Sequence, residues 1–129
     1  MRFSTDIKIL LIDGDEGIRK SLSLFLRNQG YHVLAFETAE RANEVIKKER
    51  YDIILCDYWL PGMNGLEFFK RVQRSHPKSI RILMSAYKSE DVVSEAKKIG
   101  IKDFIEKPFT TKTIEETLSR LVENREQKG

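Results

Sequence analysis

The chain has 129 residues, 40% of them apolar and 33% charged, with a net charge of +3 and one cysteine. That length suits one domain with a single sizeable core, one cysteine excludes an internal disulfide and points to a reducing cytoplasm, and no apolar run approaches the roughly 20 residues of a membrane span. The basic residues (Lys47, Lys48, Arg50, Lys70, Arg71, Arg74, Lys97 and Lys98) have acids between them, as on a solvated surface rather than a nucleic-acid footprint. Met1 to Asp6 carries no apolar signal-peptide core.

Two hydrophobic periods alternate along the chain. Ile7 to Ile12 is nearly all apolar, the pattern of a strand covered on both faces. Ile18, Leu22, Phe25 and Leu26 then recur at helical spacing, and Gly30 is placed to end that helix. Tyr31 to Phe36 reads as a second strand, followed by a helix capped by Thr38 with Ala39, Ala42, Val45 and Ile46 inward.

A third strand, residues 52–56, delivers Asp57 at its C-terminal end. Leu60-Pro61-Gly62-Met63 is a tight turn, with proline presetting φ and glycine free to take a positive one. Asn64 caps the next helix with Glu67 in a capping-box position, Leu66, Phe69 and Val72 line it, and His76-Pro77 stops it. Ile80 to Met84 is a fourth strand. Ser89 caps a helix with Glu90 and Asp91 in its first turn and Lys97 and Lys98 in its last, complementing the macrodipole; Gly100 closes it. Asp103 to Glu106 makes a short fifth strand. Ile114, Leu118, Leu121 and Val122 mark a last helix, leaving a polar tail at 123–129 expected to fray. Residues 1–129 thus read as one domain with its core at about 7–122.

Strands alternating with helices predict an α/β fold, a five-stranded parallel sheet doubly wound with five helices through right-handed crossovers. Such sheets bind ligands beyond the C-terminal strand ends, where strand order reverses. The first strand brings Asp13-Gly14-Asp15-Glu16 to that rim, the third Asp57, the fourth Ser85-Ala86 and the fifth Lys107-Pro108. The second brings only Glu37. Carboxylates, a hydroxyl and an ammonium therefore converge on one edge.

These pieces resemble a response regulator receiver domain of two-component signalling, whether stand-alone or part of a longer regulator. The likeness rests on Ile-Leu-Leu-Ile-Asp13 with its acidic loop and Ile18-Arg19, on Asp57-Tyr-Trp-Leu-Pro-Gly-Met-Asn-Gly65, on Ile-Leu-Met-Ser85-Ala86, and on Phe104-Ile-Glu-Lys107-Pro108-Phe109. It implies the flavodoxin-like strand order 2-1-3-4-5. It implies that Asp57 accepts a phosphoryl group from a sensor histidine kinase or phosphotransfer protein, with Mg²⁺ held by Asp13, Asp57 and the Trp59 backbone carbonyl. Lys107 would pair with the phosphoryl oxygens and Ser85 would donate its hydroxyl to them. Phe104 would swing inward as Ser85 shifts, and the Lys107-Pro108 bond would be cis. The output would be a changed face on the fourth helix, fifth strand and fifth helix, acting on another protein or a second copy because no output domain follows. Such a domain modifies its own aspartate and is not a turnover enzyme, touches neither membrane nor nucleic acid, and is cytoplasmic.

One position departs from the family. Where a second adjacent acid usually binds the metal, this chain has Gly14, between Asp13 and Asp15. Either the loop bends so that Asp15 reaches the cation, or Asp15 is the N-cap of the first helix and Mg²⁺ binds weakly. The second outcome needs no changed backbone path, and it makes a degenerate receiver, a binding module that never takes phosphate, the main alternative. A third class, an aspartyl phosphatase or flavin carrier of similar topology, fits less well. The phosphatase would want an acid where Trp59 stands, and no Walker or Gly-x-Gly-x-x-Gly motif occurs.

Overall fold

The computed structural model describes residues 6–128, with side chains through residue 124. Its elements run β1 (Lys8–Ile12), α1 (Glu16–Asn28), β2 (His32–Phe36), α2 (Ala39–Ile46), β3 (Ile53–Asp57), α3 (Gly65–Ser75), β4 (Ile80–Ser85), α4 (Glu90–Lys98), β5 (Asp103–Glu106) and α5 (Thr111–Lys128). The strands form one parallel sheet in the order β2-β1-β3-β4-β5. Strand order reverses between β1 and β3, which opens a crevice at their C-terminal ends.

The period of two along each strand divides the apolar residues between the sheet's faces. Leu10, Ile12, Ile54, Cys56 and Leu83 meet Ala42 of α2, Phe69 of α3 and Ala96 of α4. Ile9, Leu11, Ile53, Leu55, Ile82 and Met84 meet Leu22 and Leu26 of α1 and Ile114 and Leu118 of α5. Each fully buried leucine, isoleucine or phenylalanine contributes roughly 1.5–3 kcal/mol, so the central strands β1 and β3 are the rigid part on which the rim is mounted.

Helix starts follow local chemistry. Asp15, Thr38, Asn64 and Ser89 each accept the amide three residues on, at 3.0–3.2 Å, satisfying donors a helix leaves unpaired. Gly30 and Gly100 follow α1 and α4 with φ of 99° and 79°, where a side chain would be strained. The polar stretch set apart as a tail continues α5 as far as Lys128, and Gly129 lies outside the described residues, as do Met1 to Thr5 at the start.

Candidate functional site

Asp13 follows β1, and its N–H extends the ladder by donating to the Phe36 carbonyl at 3.1 Å. The residue is 0% exposed, and such a carboxylate needs partners on every oxygen. It has them. Oδ1 accepts the Asp15 N–H at 2.9 Å, Oδ2 accepts Lys107 Nζ at 2.5 Å, and the backbone carbonyl accepts Arg19 Nη1 at 2.7 Å.

Asp57 ends β3 and is 8% exposed, with Lys107 Nζ 3.2 Å from its Oδ2. The loop beyond it is tied down at once. Tyr58 N–H donates to the Met84 carbonyl at 2.7 Å, and Gly65 N–H donates to the Tyr58 carbonyl at 3.0 Å. A Cβ on Gly65 would overlap the Asp57 carbonyl oxygen. Glycine here lets the first turn of α3 press against the backbone of Asp57 itself.

Lys107 arrives from the end of β5 across a cis bond to Pro108, its N–H donating to the Ser85 carbonyl at 2.8 Å. Its ammonium thus lies between two buried carboxylates contributed from 94 and 50 residues away. Burial pushes Lys107 toward losing its proton. The hydrogen bond and charge of Asp13, then Asp57, outweigh this and hold its pKa above the ordinary value. Asp57 moves the other way from a typical paired carboxylate. Burial, with help from the Asp13 charge, raises its pKa against the pull of Lys107 and the Trp59 N–H. The ammonium sits closer to Asp13, so Asp57 keeps more of the cost of a buried anion.

The other expected residues lie nearby in different states. Ser85 is buried, and its Oγ accepts the Tyr87 N–H at 3.0 Å, an ST-type turn that leaves the hydroxyl proton free to donate. Phe104 pairs with Leu83 in register and is half-buried, with Lys88 Nζ 5.7 Å from its ring centroid. Trp59 is 61% exposed, its ring edge-on to Tyr58 at 5.0 Å. Cys56 is buried in the core, and burial raises its thiol pKa well above the ordinary value, as expected of an inert core thiol.

Gly14 and Asp15 lie between β1 and α1. Asp15 Oδ1 accepts the Ile18 N–H at 3.0 Å, so Asp15 is the N-cap, and the bent loop that would turn it toward the rim is not the conformation adopted. Nothing lies within 4 Å of where a Cβ on Gly14 would stand. Among the described residues no group of three or more histidine, cysteine, aspartate or glutamate side chains could hold a metal. The oxygen donors brought together around the Lys107 ammonium are the Asp13 and Asp57 carboxylates. An all-oxygen set of this kind, with two negative charges, fits a hard cation such as Mg²⁺ that keeps several waters.

Sequence reasoning named Arg19 only within a motif, and it singled out neither Glu40, which braces the loop after Asp57, nor Arg81, which stands near the start of β4, away from the rim. Arg19 secures the Asp13 carbonyl. Glu40 of α2 accepts the Met63 N–H at 2.9 Å. Arg81, buried in β4, donates to the carbonyls of His76 and Gly100 at 3.3 and 3.2 Å, joining the ends of α3 and α4.

Comparison with known proteins places this arrangement. The model of the response regulator receiver domain family matches residues 9–119. Sporulation initiation phosphotransferase F of Bacillus subtilis is 32% identical over 113 residues, covering 88% of this chain and 91% of that protein. Among solved structures, a CheY-like response regulator receiver domain protein of Methanospirillum hungatei JF-1 superposes with a TM-score of 0.92 at 26% identity, covering 95% of this chain and 98% of that one. Chemotaxis protein CheY4 of Vibrio cholerae does so with 0.85 at 29% identity, covering 88% and 97%. Other curated relatives are longer, and the chain spans only 24–31% of their length.

Proposed function

We propose, from the premise that this chain belongs to the response regulator receiver domain family, that Asp57 accepts a phosphoryl group from a phosphohistidine on a sensor histidine kinase or phosphotransfer protein. The observation that carries this reading is the Lys107 ammonium, 2.5 and 3.2 Å from Asp13 and Asp57 at the sheet's C-terminal rim. In the reaction an Asp57 oxygen forms the new bond to phosphorus as the phosphorus–nitrogen bond breaks, and the imidazole leaves with the electron pair. An anion meets an anion, so the protein's task is positioning and neutralisation.

Lys107 supplies neutralisation. At 3.2 Å its attraction to one charged oxygen is about 5 kcal/mol for an effective dielectric near 20, and the same ammonium can turn to the oxygens of the arriving group. Mg²⁺ held by Asp13, Asp57 and the Trp59 carbonyl would add positive charge at those oxygens. Ser85, whose Oγ accepts the Tyr87 N–H, would donate its hydroxyl proton to the phosphoryl group. Phe104, already half-buried, would move inward behind it. About −1.5 to −2 charges arriving at Asp57 would bias the face of α4, β5 and α5 toward a downstream protein or a second copy. The domain would modify only itself, in the cytoplasm; among the described residues no helix is long and apolar enough to cross a membrane.

The test is a small-molecule phosphodonor with Mg²⁺ followed by intact mass measurement. The expected result is a gain of one phosphoryl group that is absent in Asp57→Asn. No gain in the wild type would favour the second reading, a phosphate-independent binding module. Gly14 in place of a carboxylate, with Asp15 committed to its cap, is what supports that alternative.

A further inference from the structure

The loop leaving Asp57 is held at its start by Tyr58 N–H on the Met84 carbonyl and at its end by Gly65 N–H on the Tyr58 carbonyl. Leu60 anchors its middle in the core. The outer turn beyond Leu60 has a separate fastening, since Glu40 Oε2 accepts the Met63 N–H at 2.9 Å across 23 residues of sequence.

Two features make this a built seat rather than a chance surface contact. Gly62 has φ of +76°, and a Cβ there would stand 2.7 Å from Glu40 Oε2 and 3.3 Å from Cδ. Glycine both permits the turn and leaves the carboxylate its place. The Glu40 carboxyl is held below its ordinary pKa first by the Met63 N–H, then by its own backbone N–H, with the Arg71 charge adding to this against a small effect of burial. The carboxylate is mounted on a fixed support as well, because its neighbour Ala39 and Ala42 one turn on are fully buried against the sheet.

We propose that Glu40 is a positioning residue for the Asp57 site, its carboxylate holding the turn after Trp59 so that the Trp59 carbonyl stays directed toward the cation seat. This rests on the reading of Trp59 as a metal ligand. The influence would run through the backbone from Met63 back past Leu60 to Trp59.

The experiment compares wild type, Glu40→Ala and Glu40→Gln as full chains. It uses amide exchange by NMR and Mg²⁺ titration followed by the fluorescence of Trp59, the chain's single tryptophan. In Glu40→Ala the Met63 amide, which loses its acceptor, should exchange faster, and Mg²⁺ affinity should fall severalfold. Glu40→Gln keeps an acceptor oxygen and should restore most of both. Unchanged Met63 exchange, or Mg²⁺ affinity undiminished in Glu40→Ala, overturns the positioning role alone. So does Glu40→Gln as impaired as the alanine variant. A wild type with no Mg²⁺ response removes the metal reading of Trp59 and the positioning role together.

Discussion

Lys107→Met keeps the aliphatic stem and removes the one positive charge between Asp13 and Asp57. At an effective dielectric near 20, the gross attractions lost are about 7 kcal/mol at 2.5 Å and about 5 kcal/mol at 3.2 Å. Desolvation offsets most of this, and truncating one member of a buried pair typically costs about 3–5 kcal/mol. That range is expected at pH 7.5, and it should shrink in acid. Asp57 already has a raised folded-state pKa, so between the ordinary carboxylate range and that raised value the native state holds more protons than the unfolded one. Stability from this group is therefore full below the ordinary range and lost as pH rises through the raised value. Removing Lys107 removes the chief influence that lowers the Asp57 pKa, which widens the window. Urea unfolding followed by far-UV circular dichroism at pH 7.5 and pH 5 measures both effects, and the Asp57→Asn background should recover part of the loss. A cost under about 1 kcal/mol at pH 7.5 would refute the picture of a lysine holding two buried anions together.

Three further outcomes are expected. Asp57→Asn removes a buried anion whose protonated form the fold prefers and leaves the Lys107–Asp13 pair in place, so stability at pH 7.5 should rise on the order of 1 kcal/mol in urea unfolding; a loss would contradict the assignment. Gly14→Asp enters open space and adds a third carboxylate, so Mg²⁺ affinity by Trp59 fluorescence should rise about tenfold with Tm nearly unchanged, and equal affinities would remove the explanation of weak binding. Arg81→Ala leaves the His76 and Gly100 carbonyls without their charged donor and should cost about 3 kcal/mol in the same unfolding assay, whereas a cost within about 0.5 kcal/mol would mark the clamp as incidental.

Much of this architecture is legible in the sequence because it is decided locally. A cap such as Asp15 or Asn64 reaches an amide three residues on, and a glycine such as Gly100 adopts its positive φ where the helix ends. The rim was legible for a related reason. In a parallel sheet every strand points the same way, so whatever follows each apolar run shares one edge, and Asp13, Asp57 and Lys107 met there. Contacts between elements were not legible. Nothing in the sequence marks Glu40, and only the packing of α2 beside the turn after Asp57 shows what it holds. Arg81 lies inside a strand whose sequence gives no sign of the carbonyls at the ends of α3 and α4 that it receives. Ser85 was placed correctly on the chain, but its hydroxyl answers the Tyr87 amide two residues on. The extension of α5 to Lys128 ran against a polar composition, because helical pairing of the backbone needs no apolar face in a final turn.

The central claim is that Asp57 is the atom group that takes phosphorus. Treatment with a phosphodonor and Mg²⁺, reduction of any acyl phosphate by borohydride, and peptide mapping of the product test it most directly. The predicted result is conversion of residue 57 alone to homoserine, dependent on Mg²⁺. An unreduced residue 57, or conversion at Asp13 or Asp15 instead, would contradict it.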